Sequence, residues 1–138
     1  MTHPNRSGCQ VFLYKRAQIF VGDVWGAFHG QGLGAFDDIH CLTMFADYRV
    51  PVVLRQHGVL RYSDALAATV DAGRELEPGS EQEVGIRACT IQAVERIKRT
   101  LQGDGALTSV QIDWFLWELG EGQRELGPRH HKTRTIYY

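Results

Sequence analysis

The sequence predicts an all-α fold of about five helices, and three observations favour this class. Apolar residues recur at intervals of three and four over most of the chain, capping residues precede several of these stretches, and glycines separate them. At 138 residues the chain has the length of one domain with a buried core. We therefore expect a single helical domain over residues 1–138, with residues 1–10 as a disordered or atypical start.

The first predicted helix covers residues 11–30 and ends at Gly30. Its apolar residues share one face: Leu13, Ala17, Phe20, Val24 and Ala27. The glycine-rich stretch GQGLGAF follows it. Glycines can cradle a phosphate, but no Gly-Lys-Ser or Gly-Lys-Thr follows and no strand precedes, so the pattern favours a flexible turn.

A short apolar piece at residues 39–48 leads to a break in the chain at Pro51. Proline is favoured at the first position of a helix, and the residue before it, here Val50, is pushed away from helical angles. Asp47 therefore lies just before a break.

Two further helices are predicted from their start and stop signals. Ser63 is an N-cap candidate for a short helix that Gly73 ends. The sequence SEQE at residues 80–83 is a capping box. One apolar face follows it: Val84, Ala88, Ile91, Val94, Ile97 and Leu101. The glycines of GDG, residues 103–105, end this second helix.

The stretch SVQIDWFLWELG, from Ser109 to Gly120, is predicted as a helix because of its length and its closing glycine. A buried strand is the alternative, because the stretch is so apolar.

The C-terminal tail is basic and aromatic. Arg129, Lys132 and Arg134 could hold a phosphate, although a solvated basic tail is the commoner structure. His130 and His131 have no partner at metal-ligand spacing, so we expect no zinc site and no other metal or cofactor.

Composition excludes several classes of protein. Fifteen basic residues balance sixteen acidic ones, which disfavours a general nucleic-acid-coating role. Cys9, Cys41 and Cys89 are odd in number and far apart, which argues against a disulfide framework and for a reducing, cytoplasmic setting. No apolar run approaches the roughly 18 residues of a membrane span. No Gly-x-Ser-x-Gly motif supports acyl-transfer hydrolysis.

Two carboxylates lie in apolar surroundings, Asp47 after LTMFA and Asp113 within VQIDWFLW. Burying an unpaired charge is unfavourable by many kcal/mol, so each carboxylate should be paired, hydrogen-bonded or shifted in pKa. For one such residue a helix cap or a structural ion pair is as good an explanation as a site. Two of them in one small domain favour a site.

Lys15 is the third candidate. On helical spacing its face continues through Ile19, Gly22 and Gly26, and these small residues let another segment come close. A lysine there could hold a substrate anion or pair with a buried aspartate. A surface lysine that extends its ammonium to solvent beside Arg16 is the better interpretation when the residue is taken alone.

Aromatic residues cluster near these carboxylates in the sequence: Phe45, Trp114, Phe115 and Trp117. Such rings could stack a flat base at roughly 1–3 kcal/mol per base. Aromatic residues at helical spacing are more often part of a core.

Five blocks of sequence together carry a resemblance to a known family: YKRAQIFVGDVW, LTMFADYRVPVVLRQHGVLRYS, GSEQEVGIRACTIQAVE, IDWFLWELG and HKTRTIYY. In this order, covering nearly all of the chain from Tyr14 to Tyr138, they resemble the queuosine salvage protein family, the queuosine 5'-phosphate N-glycosylase/hydrolases. The match looks like the C-terminal portion of a longer family chain, whose N-terminal half contributes to the pocket.

The resemblance implies an enzyme that hydrolyses the N-glycosidic bond of queuosine 5'-monophosphate and releases queuine for tRNA modification. It implies an all-helical fold similar to helix-hairpin-helix DNA glycosylases, although the usual Leu-Pro-Gly-Val-Gly hairpin is absent. It also implies a small-molecule substrate, with no direct binding to nucleic acid or membrane.

By motif, the family's pocket residues fall on Phe45, Asp47, Asp113, Trp114 and Glu118, and its lysine on Lys15. Trp114 and Glu118 depart in type, because family members often carry Tyr or Phe, and Asp, at these positions. Asp113 would stabilise or attack the oxocarbenium-like sugar, as carboxylates do in glycoside hydrolysis.

The leaving base is a 7-deazaguanine, which has carbon where guanine has N7 and so cannot be protonated there. Asp47 would accept hydrogen bonds from the edge of this base, with Phe45 and Trp114 against its faces. Glu118 would meet the amine of the queuine side arm. Lys15 would keep an aspartate ionised or bind ribose or phosphate.

Three alternatives remain open from the residues: a glycosidase of another nucleotide in the same superfamily, a non-catalytic helical module that binds tRNA or a protein, and an inactive fragment. The enzyme hypothesis requires Asp47 and Asp113 to converge on one cleft.

Overall fold

The computed structural model describes residues 3–4, 10–101, 103, 106–124 and 127–135, and within these ranges the protein is all-α, as predicted. Its five α-helices are α1 (Lys15–Ala27), α2 (Val50–Gln56), α3 (Asp64–Asp71), α4 (Glu81–Thr100) and α5 (Ser109–Gly122). Single 3₁₀ turns lie at Gly32–Gly34 and Ile39–Cys41.

Short strand pairings add little to this architecture. The two-residue strands β1 (His3–Pro4) and β2 (Gln10–Val11) pair antiparallel, and Glu75 forms an isolated bridge with Lys132. The expectation that residues 1–10 are disordered or atypical concerns a stretch that lies mostly outside the described residues.

The first helix is shorter than predicted, and its two ends show why. Tyr14 adopts left-handed angles (φ 46°), so the helix begins only at Lys15. At the other end, the Gly30 N–H donates to the Trp25 carbonyl and the His29 N–H donates to the Gly26 carbonyl. These two bonds form a Schellman motif, and they end the helix at Ala27 rather than at Gly30.

The predicted break near Pro51 exists, but the helix begins one residue earlier than expected. Residues 42–49 lie in no helix or strand, Val50 is the first residue of α2, and Pro51 takes the second position. Proline is tolerated there because the first N–H groups of a helix have no partner within it.

The predicted caps of α3 and α4 are largely confirmed. The hydroxyls of Ser63 and Ser80 accept backbone N–H groups at the starts of these helices. The capping box at Ser80 is only half formed, because the Glu83 carboxylate accepts the Gly79 N–H instead of reaching back to Ser80. α4 ends at Thr100; of the GDG triplet, Asp104 and Gly105 lie outside the described residues.

The choice of helix over strand for the last apolar stretch is confirmed, and α5 starts with a capping box between Thr108 and Gln111. Gly120 does not close it, since the helix continues to Gly122. Gly120 instead leaves room for Arg49, whose Cγ would lie 2.7 Å from a Cβ at this position.

The core lies where α2 packs on α4 and α5. Its buried side chains come from all three helices and from the segment before α2; they include Met44, Val50, Val53, Leu54, Val94, Ile112 and Leu116. α5 therefore has a buried face, which carries Asp113 into the protein. Across the described part of the chain, no helix is both long and apolar enough to cross a bilayer.

Candidate active site

Residues 42–47, which have no regular secondary structure, contact α5 at Asp113. Met44, Phe45, Ala46 and Asp47 are all buried. The Phe45 N–H donates to Asp113 Oδ1 at 3.1 Å, a contact across 68 positions of sequence. This bond joins the two predicted site segments, FAD and IDW.

The two carboxylate oxygens of Asp47 differ in their surroundings, since one is hydrogen-bonded and the other is not. Its Oδ1 accepts the Val50 N–H at 3.0 Å and so caps the start of α2, which was one of the structural explanations considered for it. Its Oδ2 is buried and has no hydrogen-bond partner among the described residues. A buried carboxylate oxygen without a donor is unfavourable unless a ligand or water supplies one. Burial accordingly raises the pKa of Asp47, against the effect of its backbone hydrogen bonds.

Asp113 is 4 % exposed, and its pKa is raised to about 7. Burial is the main cause, and the negative charge of nearby Asp47 adds to it. The Phe45 hydrogen bond and the charge of Lys15 act in the opposite direction. At neutral pH this carboxyl group is therefore close to the midpoint of its titration. A carboxyl group with so perturbed a pKa is a candidate for a functional site.

Lys15 begins α1 and is half-buried. Burial lowers the pKa of its ammonium, while the charges of Asp47 and Asp113 raise it. The structure thus brings all three charged candidates within electrostatic reach of one another. The two aspartates lie close enough for their charges to interact, as the enzyme hypothesis requires, while the cleft on which they should converge stays a prediction.

Two glycines of α1 allow the close packing that the sequence suggested. A Cβ at Gly22 would lie 2.8 Å from Cζ of Phe45, and one at Gly26 would lie 2.7 Å from Cη2 of Trp114. Trp114 also stacks on Trp25, with ring centroids 6.0 Å apart. α1 therefore holds both aromatic residues that the family motif assigned to the base.

The other aromatic residues of the predicted cluster lie elsewhere. Phe115 and Trp117 are 63 % and 46 % exposed, so the four rings form neither one base platform nor one core. Glu118 is exposed on α5, one turn after Trp114.

Glu83 and Arg87 on α4 were not identified from the sequence. Both are buried, and Arg87 Nε donates to Glu83 Oε1 at 2.5 Å. Their spacing of four residues was a signal for an ion pair on one helix face. It gave no sign that the pair would be buried, or that Arg87 would reach the carbonyl oxygen of Ala46.

The three basic side chains of the tail, Arg129, Lys132 and Arg134, are exposed, as the commoner expectation has it, but the backbone of the tail docks onto the region after α3. The Leu76 N–H donates to the Lys132 carbonyl at 2.7 Å, and Arg134 pairs with Glu75. His131 is buried, and its two ring nitrogens have no partner among the described residues. Burial lowers the pKa of His131 to about 4, which leaves the ring neutral at pH 7. The predicted phosphate contacts of the tail stay a prediction.

Comparison with known proteins adds independent information. The family described as "Queuosine salvage protein" matches residues 3–138. A protein of Dictyostelium discoideum named "Queuosine 5'-phosphate N-glycosylase/hydrolase" is 51 % identical over 132 residues, which are 95 % of this chain and 41 % of that protein. Proteins with the same name from Sphaerobacter thermophilus and Mus musculus are 50 % and 43 % identical, again over 95 % of this chain and over 41 % and 42 % of their own length. The chain thus spans about two fifths of these relatives.

Proposed function

From the premise that the chain belongs to the queuosine salvage protein family, we propose that it hydrolyses the N-glycosidic bond of queuosine 5'-monophosphate. The products are queuine and ribose 5-phosphate, and water is the second reactant. The observation that supports the proposal is the proximity of two buried aspartates, of which one has an oxygen without a hydrogen-bond donor and the other a pKa of about 7.

We assign the stabilisation of the sugar during bond cleavage to Asp113. As the C–N bond breaks, positive charge builds up on the ribose, and a carboxylate beside the anomeric carbon stabilises this charge or forms a bond to that carbon. Either role needs the ionised carboxyl group. Lys15 supports it, because a nearby cation lowers the pKa of Asp113.

We assign the base to Asp47. The unpartnered Oδ2 is a buried acceptor, and the edge of a 7-deazaguanine offers a ring N–H and an exocyclic amine as donors. A base bound there would satisfy an oxygen that is otherwise unpaired, which favours binding. Phe45 and Trp114 would contact the ring, and Glu118 the amine of the side arm.

The remaining parts of the proposal concern the fold and the setting. A resemblance of the helices to helix-hairpin-helix DNA glycosylases is proposed from the family. A free nucleotide as substrate, without direct nucleic-acid binding, and a cytoplasmic location are proposed likewise.

The test is release of queuine from queuosine 5'-monophosphate by this chain, followed by chromatography. GMP and free queuosine serve as competing substrates, since another nucleotide glycosidase would prefer a different base. We expect release from queuosine 5'-monophosphate and none from GMP. Equal cleavage of GMP would overturn the assignment of the base, and no release from any of the three would overturn the activity of this chain.

Asp47→Ala is expected to raise the KM for queuosine 5'-monophosphate at least about tenfold, because the base loses its acceptor. Steady-state kinetics measure this effect. An unchanged KM would exclude Asp47 from recognition of the base.

A further inference from the structure

The buried ion pair on α4 has contacts at both of its ends. Arg87 Nε donates to Glu83 Oε1, and the second carboxylate oxygen, Oε2, accepts the Gly79 N–H at 2.9 Å. Glu83 is fully buried and Arg87 is 3 % exposed. Glu83 is therefore held by the backbone before α4, and it holds the guanidinium in turn.

The guanidinium reaches the segment that carries the proposed base ligand. Arg87 Nη1 donates to the Ala46 carbonyl at 2.5 Å and approaches the Asp47 carbonyl at 3.4 Å. Residues 42–47 belong to no helix or strand of the described chain, so no helix or sheet ladder holds their carbonyl groups. Two carbonyl groups at and beside Asp47 thus depend on a side chain from another helix.

A buried pair is an inefficient source of stability. Removing two charges from water is unfavourable by several kcal/mol per ion, and well-packed apolar residues of similar size often stabilise a protein as well or better. The geometry of Arg87 fits another purpose, because its planar fork can bind a carboxylate and a carbonyl group in fixed directions at once.

We propose that Glu83 and Arg87 are positioning residues for Asp47. The pair fixes the backbone of residues 46–47, so that Asp47 Oδ1 accepts the Val50 N–H. Its Oδ2 then has no donor among the described residues and can accept one from the base. The part of this inference that concerns the base rests on the proposed function. The part that concerns the position of the carboxylate does not.

The charge of Arg87 acts in the same direction. It lowers the pKa of Asp47, which burial raises, and so favours the ionised form that accepts hydrogen bonds from a base.

The test compares the wild type with the double variant Glu83→Met/Arg87→Met, which removes both charges and keeps similar volume. Removing Arg87 alone would leave a buried carboxylate and could unfold the protein. Arg87→Lys is the second variant, since it keeps the charge but not the fork. The matched control is Arg55→Met/Asp71→Asn. It removes an ion pair that joins Arg55 of α2 to Asp71 of α3 and is more exposed than the pair on α4.

Two measurements separate the inference from the proposed function. The first is the NMR shift of the Val50 amide as a function of pH, because this N–H donates to Asp47 and reports its ionisation. The second is the KM and kcat for queuosine 5'-monophosphate. If the wild type releases no queuine, the proposed function fails, and the Val50 amide still tests the positioning.

We expect the double variant to fold but to lose the pH-dependent shift of the Val50 amide, and its KM to rise about tenfold with kcat changed less than about threefold. Arg87→Lys should show the same effects in weaker form, and it decides the question if the double variant does not fold. The control should match the wild type. A folded double variant with an unchanged Val50 titration would overturn the inference.

Discussion

At the scale of single residues, the site depends on where each carboxyl oxygen finds its donors. One oxygen of Asp47 caps α2 and the other is buried without a donor, so the structural explanation accounts for Oδ1 and the proposed role in base recognition concerns Oδ2. Asp113 accepts the Phe45 N–H and stays deeply buried. A charge kept in such a place lowers stability at neutral pH, as is common in active sites.

Asp113→Asn should therefore separate activity from stability. Its amide oxygen can still accept the Phe45 N–H, while the buried charge is gone. We expect turnover to fall at least about a hundredfold and the free energy of unfolding at pH 8 to rise by roughly 1–3 kcal/mol. Near wild-type release of queuine would remove Asp113 from the mechanism. A less stable variant at pH 8 would contradict the unfavourable burial of its charge.

The pH dependence of this effect has a definite sign. The pKa of Asp113 is about 7 in the folded protein, against an ordinary value of 3.8, so the folded state holds a proton that the unfolded chain releases. This group therefore favours folding at low pH and loses that contribution as the pH rises from about 4 to 7. The stability gained by Asp113→Asn should accordingly be present at pH 8 and small near pH 4.

At the scale of elements, two glycines of α1 let Phe45 and Trp114 pack against its backbone. Gly22 and Gly26 leave room for the rings of Phe45 and Trp114, and any side chain at either position would enter those rings. Glycine lowers the stability of a helix interior by about 1 kcal/mol relative to alanine, so both positions serve packing rather than helix formation.

Gly22→Ala is expected to destabilise the protein by roughly 1–2 kcal/mol despite its gain in helix propensity, because the new Cβ displaces Phe45. Gly85→Ala on α4 is the matched control: no atom lies within 4 Å of a Cβ there, and we expect it to be stabilising. Urea unfolding measures both variants. If Gly22→Ala were as stabilising as Gly85→Ala, the close approach of Phe45 would be wrong.

At the scale of the whole molecule, the C-terminal tail is part of the fold. It docks against residues 73–76 and buries His131, whose ring is neutral when the protein is folded. A long-range contact of this kind ties the end of the chain to the region between α3 and α4.

His131→Phe tests this docking through pH. The folded pKa of His131 is about 4 and its ordinary value is 6.5, so below pH 6.5 the unfolded chain binds a proton that the folded state excludes. Stability from the buried ring is therefore complete above pH 6.5 and falls toward pH 4. The wild type should lose on the order of 1–3 kcal/mol more than His131→Phe between pH 7 and pH 4.5, measured by urea unfolding. An equal loss in both proteins would contradict a buried, neutral ring.

Much of the local structure, and the two candidate carboxylates, could be predicted from the amino-acid sequence. Helical spacing and the serine caps predicted α3 and α4, since these signals act between residues three or four positions apart, and the length of the last apolar stretch predicted α5. The two aspartates could be recognised because a charge in an apolar stretch is unfavourable wherever the stretch packs. The end of α1 at Ala27 was not predicted, because it depends on the left-handed conformation of His29. The role of Gly120 was not predicted either, because it depends on the Arg49 side chain that packs against it.

The contacts between these helices and segments follow from the packing of the whole chain. Phe45 and Asp113 are 68 positions apart, and Arg87 reaches Ala46 across 41, so no local pattern encodes either contact. The same holds for Oδ2 of Asp47, because whether this oxygen has a hydrogen-bond donor depends on all the residues packed around it. Burial and long-range contacts bring the charged residues of the candidate site together, and these exist only once the helices have packed.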